Sequence, residues 1–140
     1  MLLKFNKSIL ILLIILIFIA SSCAKAIYYE PEGFDNLLNE IRRQTEYFYK
    51  GEIFCYNPAA IYIDIYIKKD ISDEKVEEIK ELIIFYVQGE QFRNFLEGTN
   101  LYYDDDGFAI ILTIETQHRT FVYSSHKKYD FNDWNGRELK

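Results

Sequence analysis

The sequence is poor in the residues from which many small sites and scaffolds are built. Its 140 residues include only two cysteines, two histidines and six scattered glycines. Two cysteines cannot supply a disulfide framework, and two histidines leave few nitrogen ligands for a metal such as zinc. The scattered glycines form no glycine-rich loop of the kind that binds phosphate groups. The sequence therefore excludes a disulfide-stapled scaffold and a nucleotide-binding loop.

Basic residues are also too few for a chain that binds nucleic acid. Lys and Arg number 16, against 22 Asp and Glu. Lys4 and Lys7 are the only charged residues among the first 22, so the rest of the chain has 14 basic and 22 acidic residues and a net charge of −8. Nucleic-acid binding depends on phosphate neutralisation by Lys and Arg, and anionic lipid attracts basic clusters. The sequence predicts neither interaction.

The most distinctive segment that the sequence does contain is an apolar leader. After Lys4 and Lys7, residues 8–22 form a run of 15 apolar or small residues. A helix that spans a bilayer needs about 20 apolar residues, whereas a basic start, an apolar middle and small residues at the end form a secretory signal. We therefore predict that residues 1–22 are a cleaved signal peptide, with a retained membrane anchor as the alternative.

Cys23 follows three small residues, Ala20-Ser21-Ser22, at the end of this run. The segment resembles the lipobox of bacterial lipoproteins, in which the cysteine thiol is alkylated by diacylglycerol before the signal is cleaved. The resemblance implies a lipid on Cys23 that anchors the chain outside the cytoplasm, in the cell membrane or outer membrane of a bacterial envelope. The alternative cut, after Ala24-Lys25-Ala26, would release an unanchored chain.

The 118 residues from Cys23 onward suit one domain. Residues 23–32 are predicted to be a tether, and residues 33–140 a single α+β domain. Apolar residues recur three or four apart over residues 33–50, which predicts a first helix. Ser72 is a good N-cap, because its hydroxyl can accept a hydrogen bond from an unpaired backbone N–H group. It predicts the start of a second helix that ends at Gly89.

Alternating apolar residues and turn signals predict the strands. Asn57-Pro58 is a turn between two of them, and Asp106-Gly107 indicates a hairpin. The order of elements predicts an antiparallel sheet of four to five strands with two main helices packed on one face. The tail either adds an edge strand or lies on the surface. The predicted strands cover residues 52–56, 61–67, 108–116 and 120–124, and a short third helix covers residues 91–97.

The clearest alternation in the chain defines a candidate binding face. The isoleucines at 61, 63, 65 and 67 alternate with Tyr62, Asp64 and Tyr66. Residues two apart on a strand lie side by side on one face, so the isoleucines are expected to pack under a helix while two tyrosines flank one carboxylate on the other side. We call Tyr62, Asp64 and Tyr66 the tyrosine face. With Tyr123 from another strand, it is the candidate site for a partner protein or a carbohydrate.

Three functional hypotheses follow from these patterns. The leading one is a noncatalytic binding or accessory domain, for which we assign no catalytic residue, cofactor or metal. The second is a small exported enzyme or metal-binding protein that uses Glu115, His118 and His126, which requires these side chains to converge. The third is an acidic inhibitor or immunity-type protein that blocks a basic partner. Cys55, which has no cysteine to pair with once Cys23 is lipidated or removed, is expected to be buried.

Overall fold

The computed structural model describes residues 25–139, so the predicted signal peptide and Cys23 lie outside the described residues. Within these residues, three α-helices, one short 3-10 helix (Lys127–Tyr129) and six strands confirm the α+β class. Within the described range, no helix combines the length and the apolar character that crossing a membrane requires. In chain order the elements are β1 (Ile27–Tyr29), α1 (Phe34–Gln44), β2 (Phe48–Cys55), β3 (Ala60–Ile67), α2 (Asp73–Val87), α3 (Glu90–Glu97), β4 (Ala109–Glu115), β5 (Thr120–His126) and β6 (Asn135–Leu139).

The six strands form one sheet in the order β1-β2-β3-β4-β5-β6. Neighbouring strands are antiparallel except β3 and β4, which are parallel. The prediction of an antiparallel sheet of four to five strands is therefore corrected to a mixed sheet of six. The predicted hairpin at Asp106-Gly107 does not form, because residues 101–107 make turns and bends instead of a strand. The chain returns through α2 and α3, so β4 enters beside β3 in the same direction.

The first helix is shorter than the predicted range 33–50. It begins after Gly33, whose φ of 81° is a conformation that glycine adopts without strain, and it ends at Gln44. Thr45 donates its backbone N–H to the Ile41 carbonyl (3.0 Å) but is itself extended. The aromatic residues that follow favour a strand, and Phe48 already pairs with Ile67 in the sheet. The helical spacing of Phe48 was coincidental.

Both ends of the described chain contribute edge strands. Ile27–Tyr29, within the segment predicted to be a tether, pair with Ile53–Cys55 as β1. The tail pairs with β5 as β6, so it adds an edge strand, one of the two outcomes predicted for it. The sheet therefore begins four residues after Cys23.

The hydrophobic core lies between the helices and one face of the sheet. The second helix begins as predicted, with the Ser72 hydroxyl accepting from the Lys75 backbone N–H (3.2 Å). Gly51 lets α1 approach β2, because a Cβ at this position would lie 2.4 Å from Leu38 Cδ2. The buried residues of all three helices join this one core, so the opposite face has no described helix on it. Core members include Leu37, Ile41, Ile63, Ile65, Val76, Ile79, Ile83, Phe92, Leu96, Ile110, Leu112 and Ile114.

Candidate functional site

The tyrosine face lies on the side of the sheet that the helices leave open. Tyr62, Asp64 and Tyr66 alternate along β3 with fully buried isoleucines, and each is half-buried. Because strand register places directly paired residues on the same face, β2 and β4 supply the neighbouring side chains. These are Lys50, Glu52 and Phe54 on β2, and Ile111, Thr113 and Glu115 on β4.

Four aromatic rings pack on one another at one end of this open face. Phe54 stacks on Tyr62 with ring centroids 5.4 Å apart and planes 9° from parallel. Tyr56 meets both rings edge-on at 5.3 and 5.5 Å, and Tyr28 of β1 lies 5.5 Å from Phe54. We call these residues the aromatic cluster. Offset and edge-on ring pairs contribute about 0.5–1.5 kcal/mol each beyond the area they bury.

Asp64 has one oxygen that lacks a hydrogen-bond partner. The Tyr66 hydroxyl donates to Asp64 Oδ2 (3.2 Å). Oδ1 is buried and has no hydrogen bond of good geometry to any described residue, although the Thr113 hydroxyl lies close enough to stabilise the carboxylate. Lys50 does not neutralise the carboxylate, because its ammonium pairs with Glu52 (2.9 Å) and lies 4.7 Å from the centre of the Tyr66 ring. Buried acceptors in proteins are nearly always paired, so burying Oδ1 in this way is unfavourable to the fold, and Oδ1 has almost no surface that a docked partner could reach.

This environment changes the acidity of two groups. Burial is the main cause that raises the pKa of Asp64, and the negative charges of Glu52 and Glu115 add to the effect. The hydroxyl groups of Thr113 and Tyr66 act in the opposite direction by stabilising the carboxylate. Burial and the nearby Asp64 charge raise the pKa of the Tyr66 hydroxyl to about 12. The tyrosine face therefore holds a carboxylate that folding has partly removed from water.

Asp64→Asn is expected to stabilise the fold at pH 7. A folded-state pKa above the unfolded value means that the native state binds the proton more tightly, so ionisation of Asp64 destabilises the fold above that pKa. The gain is about 1 kcal/mol, because the amide removes the charge but remains a half-buried polar group whose own hydrogen bonds are incomplete. The difference should disappear as the pH falls through the raised pKa towards 3.8, the ordinary value for Asp.

Urea unfolding at several pH values measures this difference. Ser124→Ala is the control, because Ser124 lies on the open face and has no group that titrates in this pH range. It should change stability equally at every pH. A stabilisation by Asp64→Asn that is the same at pH 7 and pH 3.5 would contradict an elevated Asp64 pKa.

Tyr123 does not join the tyrosine face. It pairs with Leu112 on the core side of the sheet, is buried, and donates its hydroxyl to Glu77 of α2 (3.3 Å). Gly136 makes room for the ring, since a Cβ at that position would lie 1.9 Å from Tyr123 Cδ1. The assignment of Tyr123 to the candidate site is therefore corrected. A signal was present in the sequence, because Phe121 and Tyr123 share one face of β5 while Thr120, Val122 and Ser124 share the other.

The structure also separates Glu115, His118 and His126. Glu115 pairs with Thr120 and His126 with Ala109, at opposite ends of β4 and β5. These positions lie six residues apart along the strands, a distance of about 20 Å, so the three side chains cannot share one metal ion. Among residues 25–139, no group of three or more His, Cys, Asp or Glu side chains is placed to hold a metal.

His118 instead forms a pair with Asp70 that the sequence analysis missed. Its Nδ1 lies 2.8 Å from Asp70 Oδ2, while Asp70 Oδ1 accepts from the Thr116 hydroxyl (2.6 Å) and the His118 backbone N–H (2.9 Å). These hydrogen bonds lower the pKa of Asp70 to about 2, and the bond from Thr116 has the largest effect. The pair fastens the β4–β5 turn to the segment before α2. Asp70 and His118 lie 48 residues apart, so no local pattern marks the contact.

Cys55 is buried, as predicted, and its Sγ lies 3.4 Å from the Tyr29 hydroxyl. The aromatic cluster contains three residues that the sequence analysis did not assign, namely Tyr28, Phe54 and Tyr56. Phe54 and Tyr56 lie two apart around the end of β2, a spacing that can put both on one face, but only the strand register brings them to Tyr62.

Comparison with known proteins assigns no function to this site. A scan against protein-family models, a search of curated proteins and a search of solved structures each found no match.

Proposed function

We propose that this protein is an exported bacterial lipoprotein, held outside the cytoplasm by a lipid on Cys23, whose folded domain is a noncatalytic binding module. The apolar leader and the small residues before Cys23 support the anchor. One structural observation carries the binding role. Stacked and edge-on aromatic rings lie together on a sheet face that no described helix covers.

The geometry of this face supports a protein as the partner more than a carbohydrate. A sugar ring stacks best on an aromatic ring with a free flat face. Phe54 and Tyr62 stack on each other and Tyr56 meets both rings edge-on, whereas tyrosine hydroxyls and ring edges suit a protein interface, where aromatic residues are enriched.

Replacing both Tyr62 and Tyr66 with alanine in the full lipidated chain is expected to weaken partner capture from native envelopes about 10-fold or more. Truncation of an aromatic residue at the centre of an interface commonly costs more than about 1 kcal/mol, and two such losses give this factor. Crosslinking in intact envelopes, followed by affinity capture and quantitative mass spectrometry, measures the change.

Tyr49→Ala is the matched control for this experiment. Tyr49 is an exposed tyrosine at the β-bulge of β2, away from the rings of the aromatic cluster, so its loss should leave capture unchanged. Capture that is equal for the wild-type chain and a normally folded double variant would remove the tyrosine face from the proposal.

A second candidate function, inhibition of a basic partner, is favoured by a groove between α1 and α2. Leu37 and Leu82 line it, and Phe85, which is 81% exposed, lies at its side. The α2 segment carries five acidic residues and two lysines. This combination suits a basic, amphipathic partner. Loss of capture in a Phe85→Ala variant, together with strong sensitivity to salt, would favour this groove over the tyrosine face.

A further inference from the structure

We propose that one end of the sheet lies against the membrane surface, with its exposed tyrosines in the headgroup region of the bilayer. This inference rests on the proposed lipid anchor at Cys23 and adds the orientation of the domain. We call this end the anchor end. It comprises the start of β1, the β2–β3 turn, the start of β4 and the end of β5.

Strand topology brings these four segments together. Ile27, at the start of β1, pairs with Cys55 at the end of β2, and Ala60, at the start of β3, pairs with Ala109 at the start of β4. Ala109 in turn pairs with His126 at the end of β5. With about 4.8 Å between neighbouring strands, the anchor end is about 19 Å wide from β1 to β5.

Exposed tyrosines concentrate at this end. Tyr28 lies in β1 and Tyr56 follows β2. The Tyr102 backbone N–H donates to the Pro58 carbonyl (2.7 Å), which places it beside the β2–β3 turn. Tyr129 belongs to the turn after β5, where the Lys127 N–H donates to the Phe108 carbonyl (2.8 Å). All four are exposed, although aromatic rings of this size usually bury much of their surface.

The short connection to Cys23 restricts the orientation of the domain. Ile27 lies four residues after Cys23, and four steps of fully extended chain reach about 14 Å. The eight residues of β2 run for about 26 Å. The domain therefore cannot turn its opposite end to the bilayer while Cys23 holds the lipid, and the start of β1 is held within about 14 Å of the membrane.

The chemistry of the anchor end suits the headgroup region. Tyrosine is enriched there, because its ring is apolar and its hydroxyl bonds to water and headgroups. Three lysines and five aspartates lie at or beside this end, so its charge is slightly negative and attraction to anionic lipid is not the driving force. They are Lys25, Lys127, Lys128, Asp104, Asp105, Asp106, Asp130 and Asp133.

The test compares tyrosines of equal exposure within one sample. The purified full chain with its lipid is added to preformed phosphatidylcholine vesicles, and exposed tyrosines are modified by a brief pulse of hydroxyl radicals. Tyr28 and Tyr102 are 62% and 61% exposed in the domain, and Tyr49, on β2 towards the opposite end, is 59% exposed. Without a membrane contact, the three rings should therefore react at similar rates.

We expect Tyr28 and Tyr102 to react about five-fold or more slowly than Tyr49, because a surface buried in the headgroup region loses contact with aqueous reagent. Equal rates on a chain whose intact mass includes the lipid would overturn the orientation and leave the anchor standing. A purified chain without lipid would overturn the anchor, and the orientation with it.

Discussion

Replacing Ile63 with alanine is expected to lower the free energy of unfolding by about 2–5 kcal/mol, the range for removing a large aliphatic side chain from a packed core. Ile63 is fully buried at the centre of β3, between Ile53 of β2 and Leu112 of β4. A domain of this size is stable by about 5–15 kcal/mol, so this one substitution removes a large share of the total. Urea unfolding followed by circular dichroism measures the loss.

Ile111→Ala is the matched control for Ile63→Ala. It deletes the same atoms from a half-buried isoleucine on the open face of β4. Because less apolar area leaves water at Ile111 on folding, its substitution should cost less than half as much as Ile63→Ala. Equal losses at the two positions would mean that the face assigned to binding is packed as tightly as the core, which contradicts the two-sided description of the sheet.

Replacing Cys23 with serine is expected to abolish cleavage before residue 23. In the lipoproteins that this leader resembles, alkylation of the thiol precedes cleavage, and a serine hydroxyl does not replace the thiolate as nucleophile. The variant should therefore keep residues 1–22 and carry no lipid. Intact-mass analysis and labelling with a radioactive fatty acid detect both changes, and the expected loss of label is nearly complete.

Cys55→Ala is the control for this substitution. Cys55 is buried at the end of β2, so its replacement should leave both processing and lipid attachment unchanged. Normal fatty-acid labelling of the Cys23→Ser variant would place the lipid elsewhere and contradict the assignment of Cys23.

The parts of the fold that were predictable from the sequence are those specified by local patterns. Alternating isoleucines identify β3, and Ser72 identifies the start of α2, because period-two burial and N-capping depend on neighbours in the chain. β1 has three residues, too few to establish a period. The parallel pairing of β3 with β4 depends on where α2 and α3 return the chain, and no local signal records that position.

In the candidate site, too, the predictable features are those that depend on one strand alone. Tyr62, Asp64 and Tyr66 share a face because they share a strand. Tyr123 was assigned to the wrong face. The shared face of Phe121 and Tyr123 on β5 already indicated that both point to the core, and this pattern does not depend on the register of the strands. Asp64 has no basic partner because Lys50 pairs with Glu52. This pairing depends on side chains of two strands, so the sequence does not show it.

The intact mass of the protein isolated from bacterial membranes tests the central claim most directly. The account predicts a chain that begins at Cys23 and is heavier than its residues by a diacylglycerol group and any further acyl chain. A chain that begins at Ile27, or one that retains residues 1–22 without added lipid, would contradict it.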